Sequence, residues 1–306
     1  MTKFKEPCLA ASMMPPDIEH TDDNIYKAMS SLKYPVMATL KKDGIRGLRL
    51  GGSLLSRRLK YIPSILIRQK SLVMPGGFDV EICREDLLYH DNESIIMSQH
   101  HPLAHTMEFH VLDRWLPDCG CYQSRMCDIE GKMRYMPPFV HWEKPSWIHN
   151  ADQLMEFFLQ SEREDGEGIC FRLPTSPYKF GRSTLTQQYL VKLTRYVREE
   201  ATIIGFEEQM FNGNVDKRDR TGKMNRSSSY ANLNGKDTLG VLLCRDKDGN
   251  TIRIGTGVGL TNKLRRHIWH HQDKYLGRQI VFKHKPFGKK NKPRSLIFVG
   301  FREEGF

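Results

Sequence analysis

At 306 residues, 39% of them hydrophobic, the chain is long enough for two domains with real cores, and no low-complexity tract dominates it. No run approaches the ~18 apolar residues of a membrane span, and no apolar segment with a cleavage site opens the sequence, so a soluble protein with no membrane partner is expected. The net charge of +11 asks for an anionic partner, and it is uneven: 217–226 and 283–294 are basic while 152–167 is acidic, a balance that suits nucleic acid.

Seven scattered cysteines, an odd number, read as reduced thiols of an intracellular protein. Cys119, Cys121 and Cys127, with His110 nearby, lack the two-residue spacer usual in zinc sites. In chain order, a helix is predicted over 24–32 behind Asp22-Asp23, then a strand over 34–40. A second strand at Leu54-Leu55-Ser56-Arg57 follows the Gly51-Gly52 turn. A helix is predicted from Pro63 through Ile65, Leu66 and Ile67, because proline suits a first helical turn. Strands are read at 76–83, 107–113, 168–173 and 189–193. Between them Asn150 and Gln153 form a capping-box pattern ahead of Leu154, Phe157 and Phe158, which share a helical face. Residues 1–198 therefore read as an α+β domain around antiparallel or mixed sheets.

Residues 199–306 read differently. A strand at 201–206, a hairpin of 239–245 and 251–255 around the turn 246–250, a helix near 261–273, and strands at 279–284 and 295–301 suggest an all-β barrel of the OB type. The glycine-rich stretch 255–259 lacks a strand–helix context and reads as a loop. The insertion 209–237, rich in Asn, Ser and Gly, reads equally as a disordered loop or as a phosphate-binding arm carrying Lys217, Arg218, Arg220, Lys223 and Arg226.

The chemistry concentrates in Lys41-Lys42-Asp43-Gly44-Ile45-Arg46, which follows the apolar strand 34–40. A lysine at a strand end is well placed to meet a phosphate, and becomes a nucleophile when its amine is neutral. Taken alone, the segment reads as an ordinary charged turn. Later come Glu81 after Phe78-Asp79-Val80, Glu167 in Glu164-Asp165-Gly166-Glu167-Gly168, and Lys192 inside an apolar strand.

This ordered set resembles the ATP-dependent DNA ligases of the covalent nucleotidyltransferase superfamily, in their minimal form, over nearly the whole chain. Lys41–Arg46 matches motif I, Ser56-Arg57 motif Ia, Glu81 motif III, Glu167-Gly168 motif IV and Lys192 motif V; 178–184 and the segments 293–294 and 300–302 extend the likeness. The resemblance implies an ATP-grasp-like nucleotidyltransferase domain followed by an OB barrel with a hairpin latch. It implies that Lys41 takes AMP from ATP, passes it to the 5′-phosphate of a nicked duplex, and that the 3′-hydroxyl then displaces it. Lys192 and Glu167 would be catalytic, and Mg²⁺, or Mn²⁺ in its place, would be held by Glu167 and Glu81. Cations and the metal would press the Lys41 pKa down. Thr39 and Leu40 would line the adenine edge, Arg46 and Glu81 the ribose, and Arg294 and Arg302 the pyrophosphate. Arg57 and Arg182 would grip the nick 5′-phosphate, and 209–237 would act as the latch.

Three positions depart from the pattern. Thr194 stands where motif V has a second lysine, so that one phosphate contact is either lost or supplied by Arg195; Leu112 replaces the usual adenine-stacking aromatic; and the acidic tail of motif VI shortens to Glu303-Glu304-Gly305-Phe306. With Lys41 so early, no helical DNA-binding domain is expected ahead of it. A monomer is expected, in a bacterial or phage-infected cytoplasm, or in the nucleus for a eukaryotic virus. RNA ligases, GTP-using capping enzymes and a non-catalytic DNA clamp are the rival readings.

Overall fold

The computed structural model describes residues 6–15, 18–117, 119–164, 166–218, 224–226, 229–285 and 293–302. They fall into two compact units, Met1–Arg195 and Tyr196–Phe306.

The first unit opens with strands β1 (Cys8–Leu9) and β2 (Ala11–Ser12) and helix α1 (Asp22–Ser30). Thr21 caps α1, its hydroxyl accepting the Asn24 N–H at 3.3 Å, with Asp22 and Asp23 in the first turn where the helix dipole favours acids. Next come β3 (Val36–Leu40), β4 (Ile45–Leu50), β5 (Ser53–Ser56), α2 (Ile65–Lys70), β6 (Phe78–Cys83), α3 (Tyr89–Met97) and β7 (Glu108–Arg114). The unit closes with α4 (Tyr122–Met133), β8 (Val140–His141), β9 (Ser146–Ile148), α5 (Ala151–Arg163), β10 (Ile169–Arg172), β11 (Gly181–Arg182) and β12 (Val191–Leu193). Pro63 does not start α2: Ser64 takes the cap, and the helix begins one residue later. Helices α3 and α4 carry too few apolar positions to stand out in the sequence; α4 buries Tyr122, Met126 and Ile129 on an otherwise polar surface.

Two five-stranded sheets result, in the orders β2-β12-β10-β3-β9 and β5-β4-β6-β7-β8. Strand alternation decides which side chains reach the site. In β6, Phe78, Val80 and Ile82 enter the core beside Ile96, Met126 and Ile129, leaving Asp79 and Glu81 on the other face. In β10 and β12, Ile169, Phe171, Val191 and Leu193 pack with Ile25, Met29 and Phe158, leaving Cys170, Arg172 and Lys192 on the other face. The sheet faces left without apolar packing carry the candidate site.

The second unit contains β13 (Val197–Asn212), β14 (Asp216–Arg218), β15 (Met224–Arg226), β16 (Leu233–Arg245), β17 (Thr251–Ile254), α6 (Asn262–His270), α7 (Gln272–Tyr275), β18 (Gln279–Lys285) and β19 (Arg294–Phe301). Its antiparallel sheet, ordered β17-β16-β13-β18-β19, is an OB barrel that closes where the Phe298 N–H donates to the Thr256 carbonyl at 2.7 Å. Gly257, at φ +157°, permits that closure, since a Cβ there would sit 2.3 Å from the Phe298 carbonyl oxygen. The insertion is an extension of the barrel: β13 and β16 stay paired out to Asn212 and Leu233, and β14 pairs with β15 beyond them. Lys217, Arg218 and Arg226 lie on that ribbon, while Arg220 and Lys223 lie outside the described residues. Among the described residues no helix is long and apolar enough to cross a membrane.

Phe282 is fully buried in the barrel core with Ile203, Leu242 and Ile280. Phe282→Ala should destabilise the protein by about 3–5 kcal/mol in urea unfolding, whereas Leu72→Ala on the surface should stay within about 0.5 kcal/mol.

Candidate active site

Strand β3 ends at Leu40 and delivers the chain to Lys41, whose N–H donates to the Gly168 carbonyl at 2.8 Å. Gly168 sits at φ +134°, and a Cβ there would come within 2.2 Å of the Leu193 carbonyl oxygen, so a larger residue cannot make the crossing. Gly44 is forced likewise by the Ile82 carbonyl oxygen, 2.4 Å from its virtual Cβ. These crossings bring Lys41 Nζ into a direct ion pair with the Glu167 carboxylate, the two side chains being 22% and 7% exposed. Burial works to lower the pKa of the amine, but Glu167 above all, then Cys170 and Glu81, outweigh it and hold it above the usual lysine value. The expected depression of the Lys41 pKa by cations is thus reversed: the closest group is a carboxylate, and the amine is held charged.

Lys192 stands in one row with Thr39 and Cys170 across β3, β10 and β12. Burial and the Lys41 charge lower its pKa. Arg46 lies opposite Glu81 in the β4–β6 pairing. Its guanidinium grips both oxygens of the buried Asp79, one of them at 2.7 Å, and donates to the Cys8 carbonyl at 2.6 Å. Tyr178 adds a hydroxyl donated to Asp79 at 2.7 Å. Glu81 is pushed up to about 7 by burial, with Asp79 and Glu167 adding to the rise and Lys41 and Arg46 opposing it.

Beside this cluster a shallow cleft is lined by Thr39, Leu40, His110, Leu112, Tyr122 and Trp142. Leu112 is aimed there by a bulge, the β6–β7 register slipping between Asp79/Asp113 and Val80/Val111. Phe109 faces the core instead, against Phe139. Sequence reading missed Tyr122 and Trp142, and also the charges that hold this wall. Asp113, buried on β7, accepts from Arg172 of β10 and from Arg125 of α4, and both guanidiniums lie over the Tyr122 ring, at 4.7 and 5.5 Å. The available signal was a single charged residue, Arg172, in the otherwise apolar strand β10.

The remaining predicted residues are less gathered. Arg57 and Arg182 are exposed, and Arg182 donates to the Ala10 carbonyl at 2.7 Å. Arg195 does not take the place of the second motif V lysine: Glu162 and Asp22 engage its guanidinium, and it donates to the His20 carbonyl. Thr194 is buried, its hydroxyl without a hydrogen-bond partner among the described residues. Arg294 opens β19, and Arg302 follows that strand with its guanidinium on Glu200 and Gln279. Among the described residues no three His, Cys, Asp or Glu side chains converge closely enough to hold a metal. Glu167 and Glu81 nevertheless both act on the Lys41 amine, and two carboxylates suit a hard cation that completes its shell with phosphate oxygens and water.

Glu81 yields a pH prediction. Its folded value of about 7 exceeds the ordinary 4.5, so between those values the folded protein binds a proton that the unfolded chain has lost. Stability contributed at this site is present at low pH and lost as pH rises through about 7. Urea unfolding at stepped pH should show that decline in the native protein and a flatter profile in Glu81→Gln; parallel profiles would refute it.

Comparison with known proteins agrees with this architecture. Residues 234–302 match the DNA ligase OB-like domain family. The chain is 23% identical over 262 residues to a DNA ligase of Haemophilus influenzae, covering 84% of this chain and 83% of that protein. A crystal structure of Chlorella virus DNA ligase-adenylate is 25% identical, covers 98% of this chain and 99% of that one, and has a TM-score of 0.54. A Lig E DNA ligase shares the fold at 20% identity and a TM-score of 0.69, covering 98% of this chain and all of its own. The chain is thus similar to DNA ligases along nearly its whole length, with a nucleotidyltransferase-type fold in its first unit and a DNA ligase OB-like domain in its second.

Proposed function

We propose that the protein seals 3′-hydroxyl/5′-phosphate nicks in duplex DNA at the expense of ATP, through a lysyl-AMP intermediate on Lys41 and a DNA-adenylate. The observation that carries this reading is the Lys41 amine paired with Glu167, on the chain between Leu40 and Lys42, which both line the cleft with Thr39 and aromatic side chains.

The base of ATP would lie in that cleft, with Trp142 offering a flat face where Leu112 cannot stack. The Lys41 ammonium first loses a proton to water; the neutral amine then attacks the α-phosphorus, the bond to pyrophosphate breaks, and the nitrogen releases a second proton to solvent. Because Glu167 holds that amine charged, the attack requires Glu167 to turn to another cation. Mg²⁺ or Mn²⁺, bound by Glu167 with Glu81, would supply that cation and draw electron density from the phosphate. Lys192 adds positive charge on the same face, where the phosphate oxygens become more negative. Arg57 and Arg182, exposed and guanidinium-bearing, suit the 5′-phosphate of the nick, with Arg294 and Arg302 meeting pyrophosphate. The basic residues of 209–237 suit the duplex backbone, and their contribution should weaken with salt.

The test is incubation with labelled ATP or GTP and magnesium, followed by nicked duplex DNA or nicked RNA. Label transfer from ATP and joined DNA are expected, with both lost in Lys41→Ala by at least about a thousandfold while DNA binding persists. Transfer from GTP alone would favour a capping enzyme, joining of RNA alone an RNA ligase, and no transfer a DNA-binding clamp.

A further inference from the structure

The arm at 209–237 is tied at its root by asparagine side chains. Asn214 is buried there, although its neighbours Val215 and Tyr230 are 76% and 89% exposed. Its backbone N–H and its Nδ2 donate to Asn212 Oδ1 at 3.0 and 2.9 Å, Nδ2 also reaches the Ser229 carbonyl at 2.8 Å, and its Oδ1 accepts from Asn232 Nδ2 at 3.1 Å. One side chain thereby joins the end of β13 to Ser229 and Asn232, just ahead of β16, beside a Gly213 N–H bond to the Asn232 carbonyl at 2.8 Å.

A second tie lies nearer the barrel. The Glu208 carboxylate accepts the Asp237 N–H at 2.7 Å and covers Gly235, where a Cβ would come within 2.3 Å of it. The pairing slips there, from Glu208/Leu239 to Met210/Gly235, so β16 carries extra residues in a bulge with Asp237 at φ +50°. Such a bulge re-aims the ribbon beyond it. A two-stranded ribbon is marginal in water by itself, and a segment that orders only on binding gives up affinity to do so.

We propose that Asn214 is a positioning residue that fixes the direction in which the arm leaves the barrel before nucleic acid arrives, so that duplex DNA meets an ordered root. This rests on the reading of the arm as a DNA contact. Asn214→Asp keeps the size but replaces the Nδ2 donor with an acceptor facing two oxygens; Asn214→Ala removes the tie. Hydrogen exchange of peptides covering 212–215 and 229–233 is measured in the DNA-free protein, together with nicked-duplex affinity, in variants whose melting confirms folding. The native root should exchange slowly; both variants should exchange about tenfold or more faster and bind nicked duplex about five- to tenfold more weakly. Rapid exchange in the native root, unchanged exchange in the variants, or faster exchange with unaltered affinity would each overturn the proposal. The DNA reading fails separately, if Lys217→Ala with Arg218→Ala leaves nicked-duplex affinity unchanged while the exchange results stand.

Discussion

The ion pair between Lys41 and Glu167 is the contact on which the rest of the site depends. It exists because Gly168 can take a backbone conformation closed to other residues and pass against Leu193, which sets the start of β10 beside the end of β3. The pair is chemically a resting state. An amine held as ammonium cannot attack phosphorus, so the partner that positions the nucleophile also keeps it inert until its charge is drawn elsewhere.

Around that pair the fold places two buried aspartate clusters, Asp79 with Arg46 and Tyr178, and Asp113 with Arg125 and Arg172. Their energetic meaning lies in what their loss would do. Stranding a buried guanidinium by removing its carboxylate costs about 3–5 kcal/mol, although replacing a whole cluster with apolar side chains can be neutral. What the clusters provide beyond stability is placement: Arg172 joins β10 to β7, and with Arg125 it overlies the Tyr122 ring that lines the cleft.

The elements with a clean periodic signal were legible in the sequence. The strands that bear Glu81 and Lys192 or adjoin Lys41 and Glu167, the capped helices α1 and α5, and the barrel strands all carry alternation or a capping residue that physics reads locally. Helices α3 and α4 were not legible, because their burial depends on partners distant in sequence. The same limit explains Arg195, which looks free in the sequence but is claimed by Glu162, 33 residues earlier. It also explains the cleft wall: a one-residue bulge re-aims Leu112, and Trp142 arrives from a separate segment.

The most direct test of this account is the pH dependence of Lys41 acylation by an amine-directed reagent, in the native protein and in Glu167→Gln. If the carboxylate holds the amine charged, the midpoint in the variant should move to lower pH and labelling at neutral pH should rise. Coincident profiles would mean that Glu167 does not govern the protonation of Lys41, and the reading of the pair as a resting state would fall.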